Sequence, residues 1–276
     1  MSSLTPQEIT EKFSEIWLKK IENKFWKTIL LSILAGMFIA LWTIFSITSI
    51  SWLDNTPLWI KKLISWITFS LWLILVMIAG AELFTGNSLL IISKLDKKIS
   101  IGKLIKNLII VRIWNFVWAL IIIWLCYLAW RHLNWSWIIV ETIANIWISK
   151  LNYWFIQAIC LWILCNILVC LWVRLAQSWK RNSDKILGII FPITAFVTAG
   201  FEHSIANMFY LPYAYILKIT NLIPDTINTT SITLKNIFIN NLLPVTIWNI
   251  IWWMIFVWLI YWLIFNKNYS KKATQN

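Results

Sequence analysis

The chain has 276 residues, 60% of them hydrophobic and 13% charged, with a mean hydropathy of +0.74 and a formal net charge of +13. An average soluble domain carries about 25% charged residues, so this composition excludes a soluble protein and indicates an integral membrane protein. The basic residues lie in short segments between apolar runs, which is typical of loop charge bias in membrane proteins and argues against a nucleic-acid partner.

The first predicted element is an amphipathic helix over residues 5–24. Thr5, Pro6 and Glu8 form the pattern of an N-cap, a proline at the first helical position and a capping-box acid. Apolar residues then recur at helical spacing, namely Ile9, Phe13, Ile16 and Trp17. The acidic start has no apolar core, so we expect no cleaved signal peptide and a helix that lies on the cytoplasmic surface of the lipid bilayer.

Six apolar stretches follow, and each approaches or exceeds the roughly 20 residues that a helix needs to cross the hydrocarbon core. They cover residues 28–52, 60–94, 107–130, 153–178, 186–217 and 242–265. When both ends of the chain are placed on the same side of the membrane, that side carries 18 of the 24 basic residues. The count includes Arg112 and Arg174. Because basic loops stay in the cytoplasm, we expect both termini, including the tail 267–276, on the cytoplasmic side of the cell inner (cytoplasmic) membrane.

Two of the stretches contain related sequences, AGAELFTGN at residues 79–87 and AGFEHSIAN at residues 199–207. Each has Ala-Gly, an acid two residues after the glycine, and Asn five residues after the acid. Ionisable groups at membrane depth cost about 2.5–3.5 kcal/mol each, and interrupted backbone is tolerated only where protein or a cavity surrounds it. The second and fifth membrane helices are therefore predicted to be broken at corresponding places beside a permeation path.

A second pair of similar sequences follows the first pair in the same order along the chain. IWNFVW at residues 113–118 matches IWNIIW at residues 247–252. The sequence thus predicts a single membrane domain over residues 1–276, made of two homologous halves, 25–135 and 150–266. Three helices per half is an odd number, so the second half would enter the membrane upside down relative to the first. Such a 3+3 inverted repeat is typical of transporters whose site lies near the bilayer midplane.

Four stretches carry a specific resemblance: AGAELFTGN, CNILVCL at residues 165–171, FPITAFVTAGFEHSIANMF at residues 191–209 and NLLPVTIWNIIW at residues 241–252. They closely resemble the formate/nitrite transporter family, in particular its formate channels, and the likeness covers nearly all of the chain. The resemblance implies an all-α integral membrane protein with an aquaporin-like fold, in which the second and fifth of six transmembrane helices are broken. It also implies a homopentamer with one pore in each protomer.

The resemblance further implies the roles of individual side chains. The family's functional positions correspond here to the central histidine His203 with Glu202, the polar partners Thr85, Asn166 and Asn249, the vestibule lysine Lys150, and the constriction residues Leu83, Phe84 and Phe196. Two other interpretations stay open. Asn166 and Asn249 could serve as hydrogen-bonding residues between helices, and Lys150 could be an interface lysine that snorkels.

The chemistry of a small carboxylate agrees with these roles. An anion in a dry constriction needs neutralisation or a close cation, because desolvating an isolated charge is costly. His203 has an ordinary pKa of about 6.5, so it can gain and lose a proton near neutrality. We expect the anion to meet His203 and to cross the narrow zone, formed by the constriction residues Leu83, Phe84 and Phe196, as the neutral acid or as an ion pair.

The sequence favours a passive or proton-linked channel for a small monovalent anion, with formate as first choice and nitrite, hydrosulfide or lactate as alternatives on the same scaffold. A water or glycerol channel is disfavoured, because Glu202 and His203 replace the Asn-Pro-Ala type of break. A membrane-embedded metal-dependent enzyme is a remote alternative, since the chain lacks a second useful histidine and a zinc-site spacing. We read the four cysteines as packing residues and expect no catalytic residue, metal or cofactor.

Tryptophan and glycine occur in unusual numbers, with 23 Trp and 6 Gly, where an average glycine share would give about 19. Twelve tryptophans stand where the family has small residues: Trp42, Trp66, Trp72, Trp114, Trp118, Trp162, Trp172, Trp179, Trp248, Trp252, Trp253 and Trp258. Membrane helices approach closely through small residues. Our hypothesis is that a codon the host reads as glycine, such as UGA, is rendered here as tryptophan; the alternative is a Trp-rich protein with aromatic belts.

Overall fold

The computed structural model describes residues 4–53, 55–130, 137–151, 155–179, 181–198, 204–252 and 259–265. The regular secondary structure within these ranges is all helical, as the sequence predicts. In chain order, the helices are α1 (Pro6–Ile21), α2 (Phe25–Ser51), α3 (Leu58–Leu75), α4 (Phe84–Asn87), α5 (Ile91–Leu95), α6 (Ile101–Leu128), α7 (Ile138–Leu151), α8 (Phe155–Ser178), α9 (Asn182–Thr198), α10 (Ser204–Ile219), α11 (Leu243–Trp252) and α12 (Ile260–Phe265). A π-helical turn, Val76–Gly80, continues α3, and another, Asn236–Leu242, precedes α11.

Helix α1 begins with the predicted capping box. The Thr5 hydroxyl oxygen accepts a hydrogen bond from the Glu8 backbone N–H at 3.3 Å, and the Glu8 carboxylate accepts one from the Thr5 N–H at 2.7 Å. Arg174 of α8 donates to the Pro6 carbonyl at 2.7 Å, so the first turn of α1 is tied to the end of another helix. The buried face of α1 includes Ile9, Phe13 and Trp17.

Three described helical segments are long and apolar enough to cross a membrane. They are α2, α3 with its π-helical turn to Gly80, and α6. Helix α2 packs against both α3 and α6. At Gly36 the packing against α6 is so close that an added Cβ would lie 2.5 Å from the Asn115 carbonyl oxygen. Only glycine fits this crossing, and it brings the middle of α6 next to α2.

The second half of the described chain is built around α8 and α9, which pack together, and α10, which packs against α6 and α7. Helix α9 ends at Thr198 and α10 begins at Ser204. The predicted second break, with Glu202 and His203, lies outside the described residues, as does the predicted tail 267–276.

Several boundaries differ from the sequence-based expectations. Helix α7 was not predicted, because its 14 residues are too few for a span; it is held by its buried face, where the Trp147 indole donates to the Leu211 carbonyl at 3.2 Å. The helix expected to start at residue 242 already begins with the π-helical turn at Asn236. Arg112 and Arg174, which the charge count assigned to the cytoplasmic side, lie inside helices α6 and α8, as the predicted spans 107–130 and 153–178 imply.

Candidate functional site

The helical segment that begins at Leu58 ends at Gly80, where the sequence predicts the first break. Gly80 has a φ of +83°, a left-handed conformation that favours glycine because a Cβ would be strained there. Ala81 and Leu83 are extended, and helical structure resumes at Phe84. The backbone therefore has an extended stretch between two helices, and its polar groups need partners from elsewhere.

The side chain of Asn115 on α6 supplies two of these partners. Its amide nitrogen donates to the Glu82 carbonyl at 3.1 Å and to the Ser32 carbonyl of α2 at 2.7 Å. Its amide oxygen accepts from the Phe84 backbone N–H at 3.0 Å. The Glu82 N–H donates to the Leu31 carbonyl at 3.1 Å. One fully buried amide thus joins α2, α6 and both sides of the break.

The carboxylate of Glu82 lies at the centre of a second network and is 1% exposed. It accepts a hydrogen bond from the Asn87 amide, and Lys20 of α1 lies 3.4 Å from it as an ion-pair partner. The Asn87 amide also donates to the Asn107 side chain at 2.8 Å. Because a buried charge needs both a counter-charge and hydrogen bonds, Lys20 and Asn87 explain how this acid is retained. The network also connects α1 to the break.

The first three predicted pore residues lie together at the break. Leu83, Phe84 and Thr85 follow one another along the chain, and all are buried, at 4%, 1% and 2% exposure. The guanidinium of Arg112 lies over the Phe84 ring, 5.4 Å from its centroid, and also donates to the Thr246 hydroxyl of α11. A cation is therefore present beside the residue expected to form a constriction.

A cavity of about 370 Å³ opens on the α1 side of the break. Three lysines, Lys19, Lys20 and Lys27, line it together with Glu82 and Leu83. A concave surface with an excess of positive side chains raises the local concentration of anions. Its chemistry suits a small anion that approaches the break from this side.

The second half repeats part of the first network. Asn207 of α10 donates to the Asn241 side chain at 2.8 Å, as Asn87 does to Asn107 at 2.8 Å. The chain positions correspond, since each donor is the last residue of a related nine-residue stretch. Each acceptor lies eight residues before the asparagine of an IWN sequence. The two halves therefore share a hydrogen bond as well as a sequence pattern.

The other predicted residues are spread over the remaining helices. Lys150 at the end of α7 lies over the Tyr210 ring of α10, 5.4 Å from its centroid. Asn166, Phe196 and Asn249 lie on α8, α9 and α11, and their side chains are outside the described part of the chain. The structure thus brings Leu83, Phe84 and Thr85 together, and leaves the positions of His203 and Glu202 as predictions.

Sequence reasoning missed the side chains that hold the break. Asn115 stands in IWNFVW, the counterpart of the sequence that contains Asn249, so the internal repeat itself was a usable signal. Asn87 ends the quoted AGAELFTGN stretch. Lys20 carried no such signal, because its partner lies 62 residues away along the chain. Among the described residues, no cluster of three or more His, Cys, Asp or Glu side chains is placed to hold a metal.

Comparison with known proteins extends these observations. Residues 7–263 match the family described as formate/nitrite transporter. The formate channel FocA of Escherichia coli K12 is 34% identical over 275 residues, which cover 95% of this chain and 94% of that protein. FocA of Haemophilus influenzae is 31% identical over 260 residues, or 90% of each chain. A solved pentameric formate channel with formate bound superposes with a TM-score of 0.78 at 33% identity, covering 88% of this chain and 98% of that one.

Proposed function

The chain belongs to the formate/nitrite transporter family, and from this premise we propose that it conducts formate across the cytoplasmic membrane. Its relatives are channels and not enzymes. Nitrite, hydrosulfide and lactate are the competing substrates on this scaffold. All four can cross as small monovalent anions or as their neutral conjugate acids, so the same site chemistry applies to each.

The observation that carries the proposal is the interrupted helix at the first break. Extended backbone inside a membrane protein is tolerated only where protein surrounds it or where it lines a cavity. Here Asn115 satisfies the backbone, and Leu83 lines the lysine-rich cavity on the α1 side. An interrupted backbone next to an anion-attracting cavity is what a conduction path requires, whereas a structural kink needs neither the cavity nor the lysines.

We further propose that six helices form a 3+3 inverted repeat and that five copies assemble, one pore in each. The matched Asn87–Asn107 and Asn207–Asn241 hydrogen bonds support the repeat. The pentamer is supported by the similarity to a solved formate channel that is itself pentameric. In this arrangement α1 lies on the cytoplasmic side, and the cavity that it covers is the cytoplasmic vestibule. Lys150 then stands at the outer mouth.

In the proposed mechanism the two breaks meet at the narrow zone. Formate leaves water at a lysine-lined mouth, exchanges its hydration for hydrogen bonds to Thr85, Asn166 and Asn249, and meets His203. Proton transfer or ion pairing at the imidazole lowers the desolvation cost at Leu83, Phe84 and Phe196. Glu202 precedes His203 in the chain, and in this mechanism its negative charge favours the charged form of the imidazole.

The decisive experiment is flux into liposomes that contain the purified protein. We expect formate flux to exceed that of lactate, nitrite and hydrosulfide, and to depend on pH near the ordinary pKa of histidine, about 6.5. His203→Phe is expected to abolish the pH dependence and to change formate flux at least about tenfold, because the imidazole is the proposed proton-exchanging group at the narrow zone. His132→Phe, at the chain's other histidine, is the matched control.

The result has clear alternatives. Preferential flux of another anion would reassign the substrate and leave the channel intact. Unchanged flux and unchanged pH dependence in His203→Phe would contradict the role of the imidazole.

A further inference from the structure

One arginine lies well inside a membrane-spanning helix. Arg112 follows the first residue of α6 by eleven positions and precedes the last by 16. The predicted span begins at residue 107, so at 1.5 Å per residue Arg112 lies about 8 Å inside the membrane-spanning segment. A charged residue at such depth is costly unless it has a function or a partner. The guanidinium therefore needs an explanation that the loop charge bias does not supply.

The described contacts of this guanidinium are neutral. It donates to the Thr246 hydroxyl and lies over the Phe84 ring, 5.4 Å from the centroid. The acid at the break, Glu82, forms an ion pair with Lys20 and not with Arg112. In the described part of the chain, the positive charge of Arg112 is thus not cancelled by a carboxylate.

The contact with Thr246 indicates the depth of the guanidinium. Residues 112 and 246 are separated by the same interval as the IWN sequences at 113 and 247, so they occupy equivalent positions in the two proposed halves. Two equivalent residues that touch each other lie next to the axis that relates the halves. In an inverted repeat this axis lies in the membrane plane, near mid-depth. The geometry thus places Arg112 at the level of the narrow zone.

We propose that Arg112 is a specificity-determining cation of the conduction path, which raises the electrostatic potential at the Phe84 constriction and so stabilises a small monovalent anion there. This inference rests on the proposed function and deepens it. A cation such as the Arg112 guanidinium is attracted to the face of an aromatic ring, here that of Phe84. The edge of the ring carries partial positive charge and stays available to contact the anion. Because the effective dielectric constant inside a protein is well below that of water, a fixed charge attracts a nearby anion several times more strongly there. Anions are therefore favoured over cations at the constriction.

The test compares Arg112→Gln and Arg112→Lys with the wild-type protein in formate-loaded liposomes. Lys106→Gln is the matched control, because Lys106 is an exposed lysine on the same helix and its loss changes the net charge equally. We expect Arg112→Gln to lower formate flux about tenfold and to move the reversal potential in a formate gradient toward zero. Lys106→Gln should stay within about twofold of wild type, and Arg112→Lys should keep at least about a third of the wild-type flux, because it retains the positive charge.

Each outcome decides the inference. Flux and reversal potential that are unchanged in Arg112→Gln would overturn it and would indicate that an acid outside the described residues neutralises the guanidinium. Arg112→Lys with flux as low as Arg112→Gln would also overturn it, since shape and not charge would then matter. If Arg112→Gln does not elute like the wild-type protein on gel filtration, its flux is not used. The flux of Arg112→Lys then decides, and a value below about a third of the wild-type flux overturns the inference. If the wild-type protein conducts none of the four anions, the proposed function itself fails and this inference falls with it.

Discussion

At the scale of single residues, Asn115 has the clearest structural role. A primary amide can donate two hydrogen bonds and accept two, and this one donates to two carbonyls and accepts from one N–H. No other uncharged side chain of this size supplies both kinds of group in one plane. The break is therefore stabilised by a residue on another helix, and the extended residues 81–83 depend on it.

We predict that Asn115→Ala destabilises the protein by about 2–4 kcal/mol, because it leaves the Glu82 carbonyl and the Phe84 N–H without partners in a buried site. The measurement is the thermal unfolding temperature of the detergent-solubilised protein. Asn145→Ala, at an exposed position on α7, should change that temperature little. Equal unfolding temperatures for the two variants would show that Asn115 does not support the break.

At the scale of elements, the tryptophans in the helix packing are the least expected feature. Trp42 on α2 and Trp66 on α3 have buried indole N–H groups for which the described residues offer no acceptor. A buried donor without an acceptor costs about 1–3 kcal/mol. The close crossing at Gly36 shows what a small residue permits in the same bundle. At Trp42 and Trp66, these observations agree with the hypothesis that glycine belongs there.

Codon usage and stability test the hypothesis at Trp42 and Trp66. We expect UGA at both positions in the gene. The double variant Trp42→Gly/Trp66→Gly should unfold at a higher temperature than the protein with tryptophan, because the indoles disturb the packing. In an authentic Trp-rich core the same change would cost about 3–5 kcal/mol at each site. Trp52→Gly, at an exposed end of α2, is the control. UGG codons, or a large loss of stability, would show that the tryptophans are authentic.

At the scale of the whole molecule, positive side chains lie at both ends of the membrane helices. Lys20 and Lys27 line the cavity near the start of α2. Helix α7, which carries Lys150, packs near Ile50 at the other end of α2. In the proposed channel, an anion that enters from either side would therefore meet a lysine before it reached the break. The lysines attract anions through long-range electrostatic interactions, and this attraction weakens as the ionic strength rises.

We predict that Lys150→Ala lowers formate flux about threefold at low ionic strength and low formate concentration, and has little effect in about 0.5 M salt, because screening removes a long-range attraction. The measurement is flux into liposomes with the salt concentration varied. Lys235→Ala removes an exposed lysine and should leave flux unchanged. A loss in Lys150→Ala that persists at high salt would indicate packing against Tyr210 and not anion attraction.

The sequence by itself determined the membrane class, the capping box of α1, the position of the first break and the family, because each depends on hydropathy, local backbone preference or a short motif. Only the tertiary structure decided which side chains hold the break: Asn115 reaches Phe84 across 31 residues of sequence, and Lys20 reaches Glu82 across 62. It also showed that Arg112 contacts Phe84 and Thr246 and that α7 exists. Hydropathy averages over a window and cannot report a partner on another helix, so such pairings follow only from the packing.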